Sequence, residues 1–508
     1  MLRRKICDDL MEWKSRLDHK CLVVGGQRQV GKTFIVSRFG EKNYGQMLYV
    51  DLSKDHRARR VFAIETTVDG IVAGLCVLQD MEVGDPEDML IFLDEIQASP
   101  HARSSLKLFT IDGRYDVIAS GSLLGVRNPS RCGRKVSVMH GEEHPGSGFF
   151  EVSDPEEDAL VMPAGYEESI TMRSLDFEEF LWAMGVPQST IDTARACIHS
   201  RTPMPDAVMA RMEACFRDYM IVGGMPKAVS AFASTRDYAA AGKEILDTIG
   251  TCLNDIDEYN LPVDGRKVRE CFHSIPDQLS RSNKKFMFSR VPADGSKGTR
   301  EKYDGSIEWV YEAGYAVRCH NIGNLAHPVS AFIDHSSYRV YMSDTGILLS
   351  LMGTNAIRAV YEGDYSYNMG ATVENAVAEG ICKCGLPVLH YERTGEDRID
   401  VDFVLEFGRD ILAIEVKSGK DRRSPSLSKV REKYRQANRR IKLERTNIFT
   451  DDDGVEHYPL FAACFADMLA PDYDGPEFVA YGPRRSDPAS AHARAPGPYP
   501  RANDSGNP

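Results

Sequence analysis

The sequence predicts an α/β fold built on a parallel sheet, and three stretches of the chain predict it. Each is a short apolar run followed at once by small, polar or acidic residues, and together they are residues 22–33, 89–97 and 115–122. Apolar runs of this length suit strands that are buried on both faces, as parallel strands are. Open sheets of this class bind ligands beyond the carboxyl ends of their strands. We therefore expect the polar residues after the three runs to form a ligand site.

The first run leads into a glycine-rich turn with the spacing G-x-x-x-x-G-K-[ST], called here the phosphate loop. Backbone N–H groups can surround phosphate oxygens where side chains keep clear, and the following helix adds the positive end of its dipole. Lys32 is expected to reach the β- and γ-phosphates, and Thr33 to hold Mg²⁺. The predicted ATP-binding residues are Gly26, Gln27, Arg28, Gln29, Val30, Gly31, Lys32 and Thr33.

The second run places two carboxylates directly after a buried strand. Asp94 is expected to bind Mg²⁺, directly or through water, and Glu95 to polarise the water that attacks the γ-phosphate. The third run ends at Ser120 and Ser122, either of which could contact the γ-phosphate or its water. A serine that caps the next helix explains each of them equally well. The predicted catalytic residues are Lys32, Glu95, Ser120 and Ser122.

Two further elements belong to the same core. Residues 46–51 predict another strand. Residues 3–18 carry apolar side chains at helical spacing, namely Ile6, Leu10, Trp13 and Leu17. This spacing predicts a helix packed beside the first strand.

The composition limits the class of protein. A chain of 508 residues exceeds a single core, and its net charge of -13 argues against wholesale wrapping of nucleic acid. The cysteines are scattered without a paired CxxC arrangement, which favours a reducing, cytoplasmic compartment. No apolar run reaches the length of a bilayer span, so we expect no membrane insertion. The composition leaves the oligomeric state open.

The motifs resemble those of AAA-type ATPases. More narrowly, residues 26–33, 93–97, 120–124 and 175–182 resemble prokaryotic ATPases that carry a domain of unknown function, DUF4143, at the C-terminus. The resemblance implies ATP and Mg²⁺ as cofactors and a core followed by a helical lid, a winged-helix-like segment and a PD-(D/E)xK nuclease-like α/β domain. The predicted divisions are 1–175 for the ATPase domain, 176–262 for the lid, 263–355 for the winged-helix-like segment, 356–470 for the nuclease-like domain and 471–508 for a disordered tail.

The predicted nuclease-like domain contains a hairpin over residues 399–417. A two-residue turn places Asp402 opposite Glu415, and because side chains alternate along a strand, Lys417 shares their face. Two carboxylates this close repel unless a cation or proton lies between them. Alternatively, the domain has only a structural role, and its carboxylates pair with Lys417 and Lys420. The resemblance assigns a second metal and nuclease site to Glu374, Asp402, Glu415 and Lys417.

Two basic segments leave open whether the partner is nucleic acid or protein. Lysines and arginines cluster over residues 284–302 and again over 421–445, the latter along predicted helical sequence. Each segment either contacts the phosphate backbone of DNA or RNA or forms a solvated or protein-binding face.

Residues 127–163 depart from the family pattern and predict an insertion or long loop.

The function predicted from these features is Mg²⁺-dependent ATP binding and hydrolysis, coupled to the DUF4143 domain and acting on nucleic acid. The first alternative is an ATP-dependent nuclease. The second is a nucleotide-gated switch that binds a protein partner without significant turnover.

Overall fold

A computed structural model describes residues 2–122, 165–259, 262–364, 369–419 and 424–470. The predicted insertion over residues 127–163 and the predicted tail over 471–508 lie outside the described residues. The part of the chain that is described forms two sheets with helices around and between them.

The first sheet has five parallel strands in the order β2-β3-β4-β1-β5. Its strands are β1 Cys21–Gly26, β2 Gln46–Asp51, β3 Met89–Asp94, β4 Asp116–Ser122 and β5 Glu167–Met172. The helices around it are α1 Ile6–Ser15, α2 Lys32–Asn43, α3 His56–Ile64, α4 Val68–Leu78 and α5 Pro100–Asp112. Every residue of β1 and β3 is buried, as strands covered on both faces require. The predicted parallel sheet is confirmed.

The lid consists of helices, as predicted. They are α6 Phe177–Ala183, α7 Gln188–Ser200, α8 Asp206–Val222, α9 Pro226–Thr235 and α10 Tyr238–Tyr259. Phe177 and Phe180 of α6 are buried with residues of α8, α9 and the C-terminal region in one large core. Burial of aromatic side chains is a main source of packing energy, so these two phenylalanines hold α6 against both the other lid helices and the C-terminal region.

The second sheet has eight strands in the order β12-β13-β11-β10-β9-β8-β6-β7. They are β6 Ala316–Ile322, β7 Ile333–Met342, β8 Leu389–Arg393, β9 Ile399–Phe407, β10 Asp410–Val416, β11 Arg439–Glu444, β12 Phe449–Thr450 and β13 Glu456–Pro459. The helices of this part are α11 Pro262–Leu279, α12 Arg300–Glu312, α13 Thr345–Met352, α14 Thr354–Glu362, α15 Met369–Lys383 and α16 Pro425–Lys433. Because β6 pairs with β8, the predicted winged-helix-like and nuclease-like segments share one sheet.

Two expectations about local structure are wrong. Leu17 was expected in the buried stripe of the first helix, but α1 ends at Ser15 and Leu17 is fully exposed. The basic segment over residues 421–445 was expected to be helical, but in its described part, residues 424–445, only α16 is a helix and the next element is strand β11. The strand was missed because its basic residues, Arg439, Arg440 and Lys442, are buried despite their charge.

Candidate functional site

The phosphate loop has the backbone that its glycines predict. Helix α2 begins at Lys32, and Gly31 before it has φ 93°, a left-handed conformation that favours glycine. A Cβ on Gly26 would lie 2.4 Å from the carbonyl oxygen of Met172 in the neighbouring strand. Glycine is therefore required at both ends of the loop, once for backbone conformation and once for the close approach of β5.

Lys32 lies across the phosphate loop and is buried. Its Nζ donates to the carbonyl oxygens of Gly26, at 2.9 Å, and Gln27, at 3.0 Å. Burial lowers the pKa of Lys32, while the nearby carboxylates of Glu95 and Asp94 act in the opposite direction. Since the two bonds go to neutral backbone oxygens, the ammonium can exchange them for phosphate oxygens, which are stronger acceptors.

Asp94 is buried at the end of β3 and is surrounded by hydrogen-bond donors. Thr33 Oγ1 donates to its Oδ2 at 2.9 Å, and the Tyr49 hydroxyl donates to the same oxygen at 3.2 Å. Ser120 Oγ and the Glu95 N–H donate to Oδ1, the latter at 3.1 Å. Within the described ranges, no lysine, arginine or histidine forms an ion pair with Asp94. This carboxylate beside a threonine hydroxyl is the kind of oxygen set that Mg²⁺ binds.

Glu95 occupies an uncommon backbone conformation directly after Asp94. Its φ of 54° and ψ of 50° are left-handed, which is rare for a residue other than glycine. The Gln97 amide donates to Glu95 Oε2 and fixes its carboxylate. Strained backbone of this kind concentrates at functional sites.

The two predicted serines occupy different positions. Ser120 is fully buried and bonds to Asp94, so it orients the predicted metal ligand. Ser122 lies opposite Gly26 in the β1–β4 register, at the start of the phosphate loop. The capping alternative concerns a helix after Ser122, which lies outside the described residues. Their catalytic roles stay a prediction.

Sequence reasoning missed the residues that contact this site from other elements. Tyr49 at the end of β2 had no motif to mark it, and Gln97, within the family-like stretch 93–97, was assigned no role. Helix α10 contacts the phosphate loop from the lid: the Arg28 Nε atom lies 3.2 Å from Asp255 Oδ1. The Arg28–Asp255 contact joins residues more than two hundred positions apart in sequence, so no local pattern could have predicted it.

The structure brings the four residues of the predicted second site together. The β9–β10 hairpin turns at Gly408 and Arg409, and farther along it Phe403 lies opposite Ile414. The register therefore places Asp402 across from Glu415, as the predicted two-residue turn required. Lys417 lies just after β10, with Nζ 2.6 Å from Glu415 Oε1, and Glu374 comes from α15.

Cations that the sequence analysis did not place there occupy the C-terminal carboxylate cluster, defined as Glu374, Asp400, Asp402 and Glu415. Arg339 of β7 is buried, with Nη1 3.3 Å from Glu374 and 3.5 Å from Asp402, and Nη2 2.6 Å from Asp400. Lys284 and the Tyr341 hydroxyl both bond to Glu374. Burial lowers the pKa of Lys284.

The remaining carboxylate of the cluster is less well satisfied. Burial raises the pKa of Glu415, and the charge of Asp402 adds to this, while Lys417 opposes it. No residue among those that the structure describes forms a hydrogen bond with the buried Glu415 Oε2. Over the described ranges, no three His, Cys, Asp or Glu side chains are grouped in a way that could hold a metal ion. The supporting alternative named Lys420 as a partner, and Lys420 lies outside the described residues.

Many of the basic residues bind within the protein. In β11, Arg439 is buried with Nη2 2.7 Å from Glu456, and Lys433 of α16 lies 2.6 Å from Asp397. Lys284, for which a phosphate contact was one of two alternatives, bonds to Glu374. The exposed cations of the first basic segment are Lys285, Lys297, Arg300 and Lys302.

None of the helices in the described part of the chain combines the length and the apolar composition needed to cross a bilayer.

Three family models match separate parts of the chain. Residues 18–133 match a model described as an AAA domain. Residues 213–358 match a domain of unknown function, DUF8612, and residues 369–460 match the domain of unknown function DUF4143. No curated protein matches the chain.

Solved structures share only a distant likeness. The Walker-type ATPase PabY2304 of Pyrococcus abyssi is 11% identical and has a TM-score of 0.38, over 69% of this chain and 96% of that one. The Thermotoga maritima RuvB Holliday junction branch migration motor is 13% identical with a TM-score of 0.22, over 62% and 90%. Drosophila ORC bound to DNA is 9% identical with a TM-score of 0.20, over 69% and 85%.

The chain therefore combines an AAA domain over residues 18–133, which contains four strands of the parallel sheet, with a DUF4143 domain over residues 369–460.

Proposed function

We propose that the chain binds ATP together with Mg²⁺ and hydrolyses it to ADP and phosphate. One observation carries this proposal: the Thr33 hydroxyl lies 2.9 Å from the Asp94 carboxylate, and the neighbouring Lys32 is buried across the phosphate loop. A carboxylate and a hydroxyl that meet at the N-terminus of a helix suit a metal-bound triphosphate.

Each of these residues has a separate role in the proposed binding of ATP and Mg²⁺. Lys32 exchanges the carbonyl oxygens of Gly26 and Gln27 for phosphate oxygens of ATP. Thr33 and Asp94 are the residues that would hold Mg²⁺, and the bound ion neutralises charge on the phosphate oxygens. Ser120 and Tyr49 hold the Asp94 carboxylate in place through their hydroxyl groups.

Glu95 is proposed to act on the attacking water. The water oxygen forms a bond to the γ-phosphorus, the bond from that phosphorus to the oxygen of ADP breaks, and the proton of the water passes to Glu95. Gln97 keeps the carboxylate oriented. A positioned acid–base group of this kind contributes about 10²–10⁴-fold to the rate.

The test compares the wild type with Glu95→Gln, which keeps the size of the side chain and removes its charge. We expect ATP binding to be retained and phosphate release to fall about 10²–10⁴-fold. Glu41→Gln, an exposed site on α2, is the matched control and should match the wild type. Equal phosphate release by Glu95→Gln and the wild type would contradict hydrolysis and favour the nucleotide-gated switch.

The contacts of the C-terminal carboxylate cluster support the ATPase over the ATP-dependent nuclease. A metal would have to compete with Arg339, which already lies beside Asp400, Asp402 and Glu374. We therefore expect no Mg²⁺-dependent cleavage of DNA or RNA. Cleavage that disappears in Asp402→Ala would establish the nuclease instead.

The partner that the ATPase acts on is proposed to be nucleic acid. The exposed cations Lys285, Lys297 and Lys302 support this, since exposed cations can contact phosphates, whereas the exposed Arg300 lies 3.4 Å from Asp304. ATP turnover measured with DNA, with RNA and with neither tests it. Stimulation by one of the two would name the partner, and equal rates in all three would favour a protein partner.

A further inference from the structure

Helix α10 holds two side chains of the phosphate loop. Asp255 Oδ1 lies 3.2 Å from Arg28 Nε, and the Thr248 hydroxyl donates to Gln29 Oε1 at 3.2 Å. The Gln29 amide in turn donates to the Thr251 hydroxyl. Thr248, Thr251 and Asp255 recur at intervals of three and four residues, so one face of α10 presents them all to the loop.

Asp255 also contacts the second sheet. The Tyr315 hydroxyl donates to Asp255 Oδ2 at 3.0 Å, and both side chains are buried. Tyr315 directly precedes β6, and its carbonyl oxygen accepts the N–H of Ser343, just after β7, at 3.1 Å. One carboxylate therefore joins the phosphate loop to the two strands at the edge of the eight-stranded sheet.

The charges of this contact act where the phosphates of ATP are proposed to lie. Arg28 and Asp255 both influence the Lys32 ammonium: Arg28 lowers its pKa and Asp255 raises it. A polyphosphate next to Lys32 therefore enters the field of the Arg28–Asp255 pair. Phosphate competes with a carboxylate for a guanidinium, because each offers charged oxygens.

We propose that Asp255 is a positioning residue that transmits the state of the phosphate loop to the second sheet, by exchanging its contact with Arg28 when a triphosphate binds. The proposal rests on the proposed binding of ATP. When the phosphates of ATP attract Arg28, Asp255 keeps its bond to Tyr315, and α10 moves relative to the loop. Strands β6 and β7 then change their exposure with the nucleotide.

Hydrogen–deuterium exchange of the full chain tests this proposal. The experiment uses the Glu95→Gln background, with and without Mg²⁺ and ATP, so that the nucleotide stays intact. We expect ATP to change the exchange of amides in residues 316–322 and 333–342. With Asp255→Asn added, which keeps the size of the side chain, this change should be lost while ATP affinity stays within about tenfold. Asp247→Asn, at an exposed position of the same helix, should behave as the parent does.

Arg28→Gln provides a second variant that removes the other partner of the contact. It should also abolish the change at β6 and β7, and the double variant should add nothing further. ATP-induced exchange at these strands that persists in Asp255→Asn and in Arg28→Gln would overturn the proposal. So would ATP binding to the parent without any change there. Failure of the parent to bind ATP would instead overturn the proposed function.

Discussion

The phosphate loop and the C-terminal carboxylate cluster both bring acidic and basic side chains together, but they satisfy the charges differently. Asp94 receives its hydrogen bonds from hydroxyls and one N–H, and Lys32 donates to backbone carbonyls. In the cluster, the guanidinium of Arg339 lies directly against three carboxylates. The first arrangement leaves each charge able to take a charged ligand. The second contains its own counter-ions.

The difference shows how a similar set of residue types can serve binding in one place and support in another. A buried carboxylate needs a cation, a proton or several donors, because desolvation is costly. Where neutral hydrogen-bond donors stabilise the buried carboxylate, a metal ion can still bind to it at little cost in free energy. Where a buried arginine stabilises the carboxylate, a metal ion must first displace that arginine.

The largest effect is expected at the phosphate loop. Lys32→Ala removes the cation proposed to bind the phosphates, and each charge-assisted hydrogen bond is worth about 1.5–3 kcal/mol. ATP affinity should therefore fall about a hundredfold or more in calorimetric titration. Lys42→Ala, on the exposed part of α2, should titrate as the wild type does. If Lys32→Ala bound ATP with the same affinity as the wild type, Lys32 would not be a phosphate-binding residue.

The second prediction concerns the arginine of the cluster. Arg339→Met keeps much of the side chain's length but leaves buried carboxylates without their cation, a loss of about 3–5 kcal/mol. Urea unfolding measures it. Mg²⁺ should restore part of the lost stability in this variant and do little for the wild type.

The matched control for Arg339 is Arg358→Met, which removes an exposed arginine paired with Glu362. Its stability should change by less than about 1 kcal/mol. If Arg339→Met is as stable as this control, the guanidinium does not neutralise the cluster.

The smallest effect lies at the far side of the second sheet, where a histidine shares its proton with carboxylates. His457 Nδ1 lies 2.6 Å from Glu444 and Nε2 3.1 Å from Asp451. Burial lowers the pKa of His457, but hydrogen bonds to Glu444 and Asp451 raise it above its usual range. In the unfolded protein the pKa of a histidine is about 6.5, and below that pH its raised pKa in the folded state stabilises the protein in full. This stabilisation is lost as the pH rises from about 6.5 through the pKa of His457 in the folded protein.

Urea unfolding at a series of pH values checks the histidine. The wild type should lose stability from about pH 6.5 upward relative to His457→Gln, whose curve should be flatter over this window. Parallel curves for the two proteins would show that His457 does not carry a shared proton.

Local patterns predicted much of both regions. The buried strands β1 and β3 followed from apolar runs, and the β9–β10 register followed from the spacing around Gly408. The glycines of the phosphate loop were predictable because their backbone and packing admit little else. These features depend on residues close together in sequence, where periodicity and turn chemistry are informative.

What could not be predicted depends on residues far apart in the chain. Arg339 carried no motif, and Lys284 lay in a basic segment whose partner was left open, yet both neutralise Glu374. Asp255 carried no motif either, and it is buried with Oδ1 3.2 Å from Arg28 Nε. A sequence gives the charge of a side chain but not its partner when the partner comes from another element.

The most direct test of the contrast between the two regions is the binding of Mn²⁺, a probe for oxygen-ligated Mg²⁺, followed by electron paramagnetic resonance. We expect one ion per chain in the presence of ATP, lost in Asp94→Asn and retained in Asp402→Asn. An ion that binds without ATP, survives in Asp94→Asn and disappears in Asp402→Asn would contradict it.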